Sequence, residues 1–144
     1  MSTARFLRIA SILALVQAIA HTAMFLAAHP THGPEEIAVV AAMKSHAFLF
    51  GGFRRTYWDM YFGYGLLAAL VVAFEAVLLW LLAGLARDEP ARLRPVIALL
   101  IAYNVAHAAL LFRYFFLVPI VADAVVTLTL LTAFVSARKT AATA

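Results

Sequence analysis

A chain of 144 residues that is 66% hydrophobic and only 12% charged has a membrane composition, because a soluble domain carries about a quarter charged residues. The net charge of +4 comes from basic residues scattered at the ends of apolar runs, a pattern of membrane topology and not of nucleic-acid binding. With no cysteine, the chain has no disulfide, thiolate nucleophile or Cys metal site, which excludes a thiol–quinone oxidoreductase working through its own cysteines.

One transmembrane domain over 1–144 is expected at this length. The first span covers 6–28. Arg5 and Arg8 before an apolar stretch raise the competing reading of a cleaved signal peptide. The run is too long for one and holds Gln17 and His21 at helical spacing, so a retained helix is expected. His29-Pro-Thr-His32-Gly-Pro34 breaks it. Over 34–50, Pro34 suits a first helical turn, and Glu35 and Glu36 complement its dipole. Gly51-Gly52 stops the segment, which carries Lys44 and His46 and is too short to span. It reads as a surface helix.

The second span, 56–85, is almost wholly apolar after an aromatic cluster, with Asp59 near its start and Glu75 past its middle. A carboxylate inside such a run is costly, so Glu75 is a functional-site hypothesis by default. The third span, 95–112, contains Tyr103, Asn104 and His107. The fourth, 119–137, contains Asp123 and Thr127, Thr129 and Thr132, and a small-residue tail ends the chain. Arg5, Arg8, Arg87, Arg92, Arg94, Arg138 and Lys139 share one side; Lys44, Arg54, Arg55 and Arg113 share the other. The positive-inside rule then sets both termini in the cytoplasm. The expected fold is an all-α, integral-membrane four-helix bundle, N-in and C-in, in the cytoplasmic (inner) membrane. A short extracytoplasmic helix would lie between its first two spans.

At ~1.5 Å per residue, His21 lies roughly 10 Å and His107 about 8 Å from the outer end, with Asn104 near the middle. Gln17, His21, Asp59, Tyr61, Tyr64, Asn104 and His107 therefore gather in the outer half, and Tyr64 and Glu75 are expected to line one groove at different heights. Each residue also has a plainer role. Asn, Gln and Thr glue helices together, and the two histidines can satisfy each other or a backbone carbonyl. Trp58, Tyr61 and other edge aromatics can form an interfacial belt. Arg55 with Asp59, and Arg113 with Asp123, are spaced to pair. In the functional reading Glu75 and Asp59 are acids, and His21 and His107 are bases or orienters. Gln17, Trp58, Tyr61, Tyr64, Tyr103 and Asn104 contact the ligand. His29 and His32 are close, but no specific metal-ligand spacing, nucleophile elbow, phosphate loop or dinucleotide fingerprint occurs, so no metal or cofactor is expected.

The four-helix layout, and the segment GGFRRTYWDMYFGYGLL (51–67) in particular, resembles small bacterial membrane proteins in the neighbourhood of the DoxX-like families. More distantly, a bundle holding His, Glu and Trp is similar to the emopamil-binding isomerase group, whose members shift sterol double bonds. That likeness implies a lipophilic ligand and assigns no site residue. The leading expectation is a polar intramembrane pocket for a terpenoid, sterol-like or quinone-like molecule, with isomerisation, cyclisation or epoxide opening as the chemistry. Whether it is an enzyme stays open. A non-enzymatic accessory subunit of a membrane complex, or a proton- or ion-conducting homo-oligomer, would use the same residues differently. Membrane lipid is the expected surrounding, and nucleic acid is not an expected partner.

Overall fold

The computed structural model describes residues 2–141, with side chains described to residue 137. Its elements are α1 (Thr3–Ala27), α2 (Pro34–Ser45), β1 (Ala47–Phe50), β2 (Phe53–Thr56), α3 (Tyr57–Leu85), a 3-10 turn (Pro90–Leu93), α4 (Arg94–Tyr114) and α5 (Leu117–Ala141). Four helices are long and apolar enough to cross a membrane: Thr3–Ala27, Tyr57–Leu85, Pro90–Tyr114 and Leu117–Ala137. No more than 28% of any of their apolar windows is buried within the chain. Such a surface is compatible with a multi-pass membrane protein, whose outward faces are solvated by lipid. Arg138 and Lys139, counted above for topology, and the tail after Ala141 lie outside the described side chains.

Contacts divide the chain into two compact units, Met1–Gln17 with Val72–Ala144, and Ala18–Val71. In the first, each helix presents one stripe at three- and four-residue spacing. Ala4, Leu7, Ala10 and Ala14 of α1 pack with Ala76, Leu79, Leu82 and Ala83 of α3, Ile97 and Leu100 of α4, and Val126, Leu130 and Ala133 of α5. Alanines dominate because two helix backbones can then approach closely, which substitutes for the hydrophobic drive that lipid removes. Polar cross-links fix the order of the helices. Ser11 Oγ donates to the Ala76 carbonyl at 2.7 Å, joining α1 to α3. The Thr3 and Ser136 hydroxyls meet at 3.0 Å, joining α1 to α5. Arg8 lies over the Trp80 ring and Arg94 over the Phe134 ring, at 5.3 and 4.1 Å from the centroids. These pairs put the start of α1 beside the ends of α3 and α5, and the start of α4 beside the end of α5. Neighbouring helices in the ring α1–α3–α4–α5 are therefore antiparallel.

In the second unit the expected surface helix over 34–50 is shorter, ending at Ser45. A two-stranded hairpin follows, with Phe48 opposite Arg55 and Phe50 opposite Phe53. Gly51 and Gly52 form its two-residue turn with φ of 57° and 85°. A turn with both central residues at positive φ matches the strand twist and favours glycine, so these glycines make a hairpin and do not merely end a helix. The second strand runs straight into α3 through a capping box. The Asp59 amide donates to Thr56 Oγ1 at 3.0 Å, and Asp59 Oδ2 accepts the Thr56 amide at 2.8 Å. At the start of α2, Glu36 reaches back to the amides of Thr31 and His32 at 2.6 and 2.7 Å. Those amides hold its carboxyl below the usual glutamate range.

Candidate functional site

The polar residues that matter lie in the first unit, on helices whose other inward positions are apolar. Asp123 of α5 is 2% exposed and uses both carboxylate oxygens. Oδ1 accepts Gln17 Nε2 of α1 at 2.9 Å, and Oδ2 accepts His107 Nδ1 of α4 at 2.6 Å. One carboxylate thus ties three helices together. Antiparallel packing explains the meeting: His107 is seven residues before the end of α4 and Asp123 six after the start of α5, both ~10 Å along their helices.

A second pair sits beside the first. Asn104, 2% exposed, donates through Nδ2 to Glu75 Oε1 at 2.5 Å and to the Leu100 carbonyl at 3.0 Å. Glu75 is within electrostatic range of Asp123 and His107. The Tyr103 ring stacks on the His107 imidazole with centroids 5.9 Å apart and planes 9° from parallel, and it is in range of Glu75 and Asp123. Four ionisable groups, Asp123, His107, Glu75 and Tyr103, therefore form one cluster, with Gln17 and Asn104 as its amide partners.

The chemistry of the cluster follows from who can donate to whom. A carboxylate only accepts, so Asp123 holds the proton of His107 on Nδ1 and leaves Nε2 as the reactive nitrogen of the neutral ring. Among the described residues Nε2 has no hydrogen-bond partner, and it is not one of the enclosed, unsatisfied atoms. The His107 side chain is 30% exposed while that of Asp123 is 3% exposed, so the ring is presented and its orienter is hidden. Gln17 on the other oxygen holds the carboxylate against rotation.

The sequence-based site residues divide between the units. Gln17, Glu75, Tyr103, Asn104 and His107 are brought together. His21, Trp58, Asp59, Tyr61 and Tyr64 belong to the second unit. His21 takes the carbonyl alternative, its Nε2 meeting the Gly65 oxygen at 3.1 Å. Asp59 caps α3 and Arg55 donates to the Arg54 carbonyl at 2.8 Å, so the expected Arg55–Asp59 pairing remains as electrostatic attraction beside the capping box, without a direct ion-pair contact. Trp58 carries Lys44 over its ring at 4.3 Å and packs near Tyr61, whose ring is also 5.8 Å from Phe25. Tyr64 is 68% exposed and Glu75 only 9%, and the two belong to different units. Arg113 lies over the Tyr114 ring and does not pair with Asp123.

Asp123 is the functional candidate that sequence reasoning missed. Its signal was an acidic residue inside an apolar run at the depth of His107 on the next helix. Among the described residues, no group of three or more His, Asp or Glu side chains is placed to hold a metal ion. Comparison with protein-family models, curated proteins and solved structures returned no match to this chain.

Proposed function

We propose that the chain is a multi-pass protein of the bacterial inner membrane that binds a lipophilic small molecule, terpenoid, sterol-like or quinone-like, at the Gln17–Asp123–His107 cluster and transforms it by proton transfer. The observation that carries this reading is the Asp123–His107 contact of 2.6 Å, with a hidden carboxylate orienting a presented imidazole. Bonds that only hold helices together have no need of an ionisable ring with one nitrogen left unbonded.

In this reading His107 Nε2 exchanges the proton, Asp123 stabilises the imidazolium, and Gln17 positions Asp123. Glu75, held by Asn104, is the second acid–base group, and the Tyr103 ring shields the imidazole from lipid. Delivering a proton to one alkene carbon and removing another from the carbon on the far side of the resulting cation shifts the double bond; one proton leaves the centre and one enters, so its total proton count is unchanged. That balance needs no oxidant or reductant. The bias of Lys and Arg supports cytoplasmic termini, with α2 and the hairpin on the outer side.

The test is solvent extraction and mass spectrometry of detergent-purified wild type, His107→Ala and Asp123→Asn. A non-phospholipid lipophile retained by the wild type and lost from both helical variants is expected. The same extract from all three would overturn the reading. A protein of fixed stoichiometry co-purifying in place of a lipophile would favour the accessory-subunit alternative.

A further inference from the structure

A groove in the second unit, well away from the cluster in sequence, has the form of a lipid site. It has a volume of about 310 Å³ and is lined by Phe50 and Arg55 of the hairpin and by Asp59, Met60, Gly63, Tyr64 and Leu67 of α3. Hairpin register explains its upper wall. With Phe50 opposite Phe53 and Phe48 opposite Arg55, these four share one face, while Leu49 and Arg54 share the other. The α3 positions 60, 63, 64 and 67 form one helical stripe. The groove floor is bare at Gly63, where an added Cβ would meet nothing within 4 Å.

The two ends of the groove differ in chemistry. At one end the exposed Arg55 guanidinium donates once to the Arg54 carbonyl, lies over the Phe53 ring at 5.3 Å and acts electrostatically on the Asp59 carboxyl, with further N–H groups left for a phosphate. Asp59, at the same end, has its carboxylate engaged by the Thr56 amide at the positive end of α3. From Met60 to Leu67 the rest is an apolar track ~10 Å long. A guanidinium suits a phosphate through paired hydrogen bonds, and the track suits methylenes.

We propose that this groove holds one anionic phospholipid of the surrounding bilayer, its phosphate on Arg55 and the first part of an acyl chain across Gly63. The site is independent of the proton-transfer cluster. The test is native mass spectrometry of the detergent-purified full chain titrated with phosphatidylglycerol or with a diacylglycerol of the same chains, which lacks the phosphate. One phosphatidylglycerol should bind about tenfold more tightly than the diacylglycerol, the discrimination expected of one charge-assisted contact. Arg55→Gln should abolish that preference, whereas Arg54→Gln, on the opposite face of the hairpin, should keep it. Gly63→Leu fills open space and improves helix propensity, so the variant should fold and lose the first adduct of both lipids. Equal losses in Arg54→Gln and Arg55→Gln would mean general charge attraction and overturn the proposal. So would a Gly63→Leu protein of wild-type helicity that binds both lipids as before.

Discussion

Replacing Asp123 by Ala should unlock three helices at once. The carboxylate is nearly inaccessible and accepts two hydrogen bonds, from Gln17 at 2.9 Å and His107 at 2.6 Å. Interhelical polar contacts in membranes average about 0.6 kcal/mol and reach about 1.7, less than in water because the unfolded helices also find partners. Two contacts therefore bracket the loss at about 1.2–3.4 kcal/mol. The shorter bond, between two ionisable groups, belongs near the upper end of its range. A double-mutant cycle isolates it: Asp123→Ala, His107→Ala and the double variant, unfolded reversibly in mixed micelles, should give a coupling of about 1–1.7 kcal/mol. The corresponding cycle with Gln17→Ala should give a smaller value, since that bond is longer and its donor uncharged. A His107–Asp123 coupling indistinguishable from zero would refute the reasoning, because it would mean the two side chains do not meet in the folded protein.

Glu75→Gln should cost under about 1 kcal/mol, since a side-chain carbonyl can still accept from Asn104. Asn104→Ala, which strands a buried carboxyl group, should cost about 1–3 kcal/mol in the same assay. Gly65→Ala would bring a Cβ against the far end of the half-buried Phe25 ring, which must swing aside, so a loss at the low end of about 1–3 kcal/mol is expected, relieved by adding Phe25→Ala. The Glu36 carboxyl is held low by the Thr31 and His32 amides. Its contribution to ordering the 29–33 loop is therefore present above the unfolded glutamate value and lost as pH falls through the depressed folded one. Amide exchange at Thr31 and His32 should quicken over that acid window in the wild type and be insensitive to it in Glu36→Gln.

The long helices were legible because an apolar run of ~20 residues has few other fates, and the breakers at Pro34, Pro90 and the residues after Tyr114 delimit them. The hairpin falls outside the expected helix-only reading of 34–50, although Gly51-Gly52 between AFLF and FRRT is a hairpin signal. Aromatic strands after a helical start look like more helix when only apolar periodicity is followed. Spacing at i,i+4 pairs Asp59 with Arg55, which does attract it, but the hydrogen bonds of Asp59 go to the Thr56-x-x-Asp59 box, a stronger local device. Within the cluster, Gln17, Asn104 and His107 stood out because each is a polar group in an oily helix. Asp123 was obscured by a nearer basic candidate, Arg113. Sequence spacing shows what is close along the chain, whereas the pairing that formed depends on depth in antiparallel neighbours. Glu75 shows the same limit: its partner is the neutral amide of Asn104 on another helix, which charge pairing along the chain does not reveal.

The His107–Asp123 contact at the centre of the cluster can be measured by solid-state NMR in lipid bilayers. With 15N-histidine and 13C-aspartate labelling, a strong dipolar contact between His107 Nδ1 and the Asp123 carboxyl carbon is expected, as a 2.6 Å N–O distance requires, vanishing in Asp123→Asn lacking the labelled aspartate. A bilayer spectrum in which His107 shows no coupling to that carboxyl would contradict this arrangement.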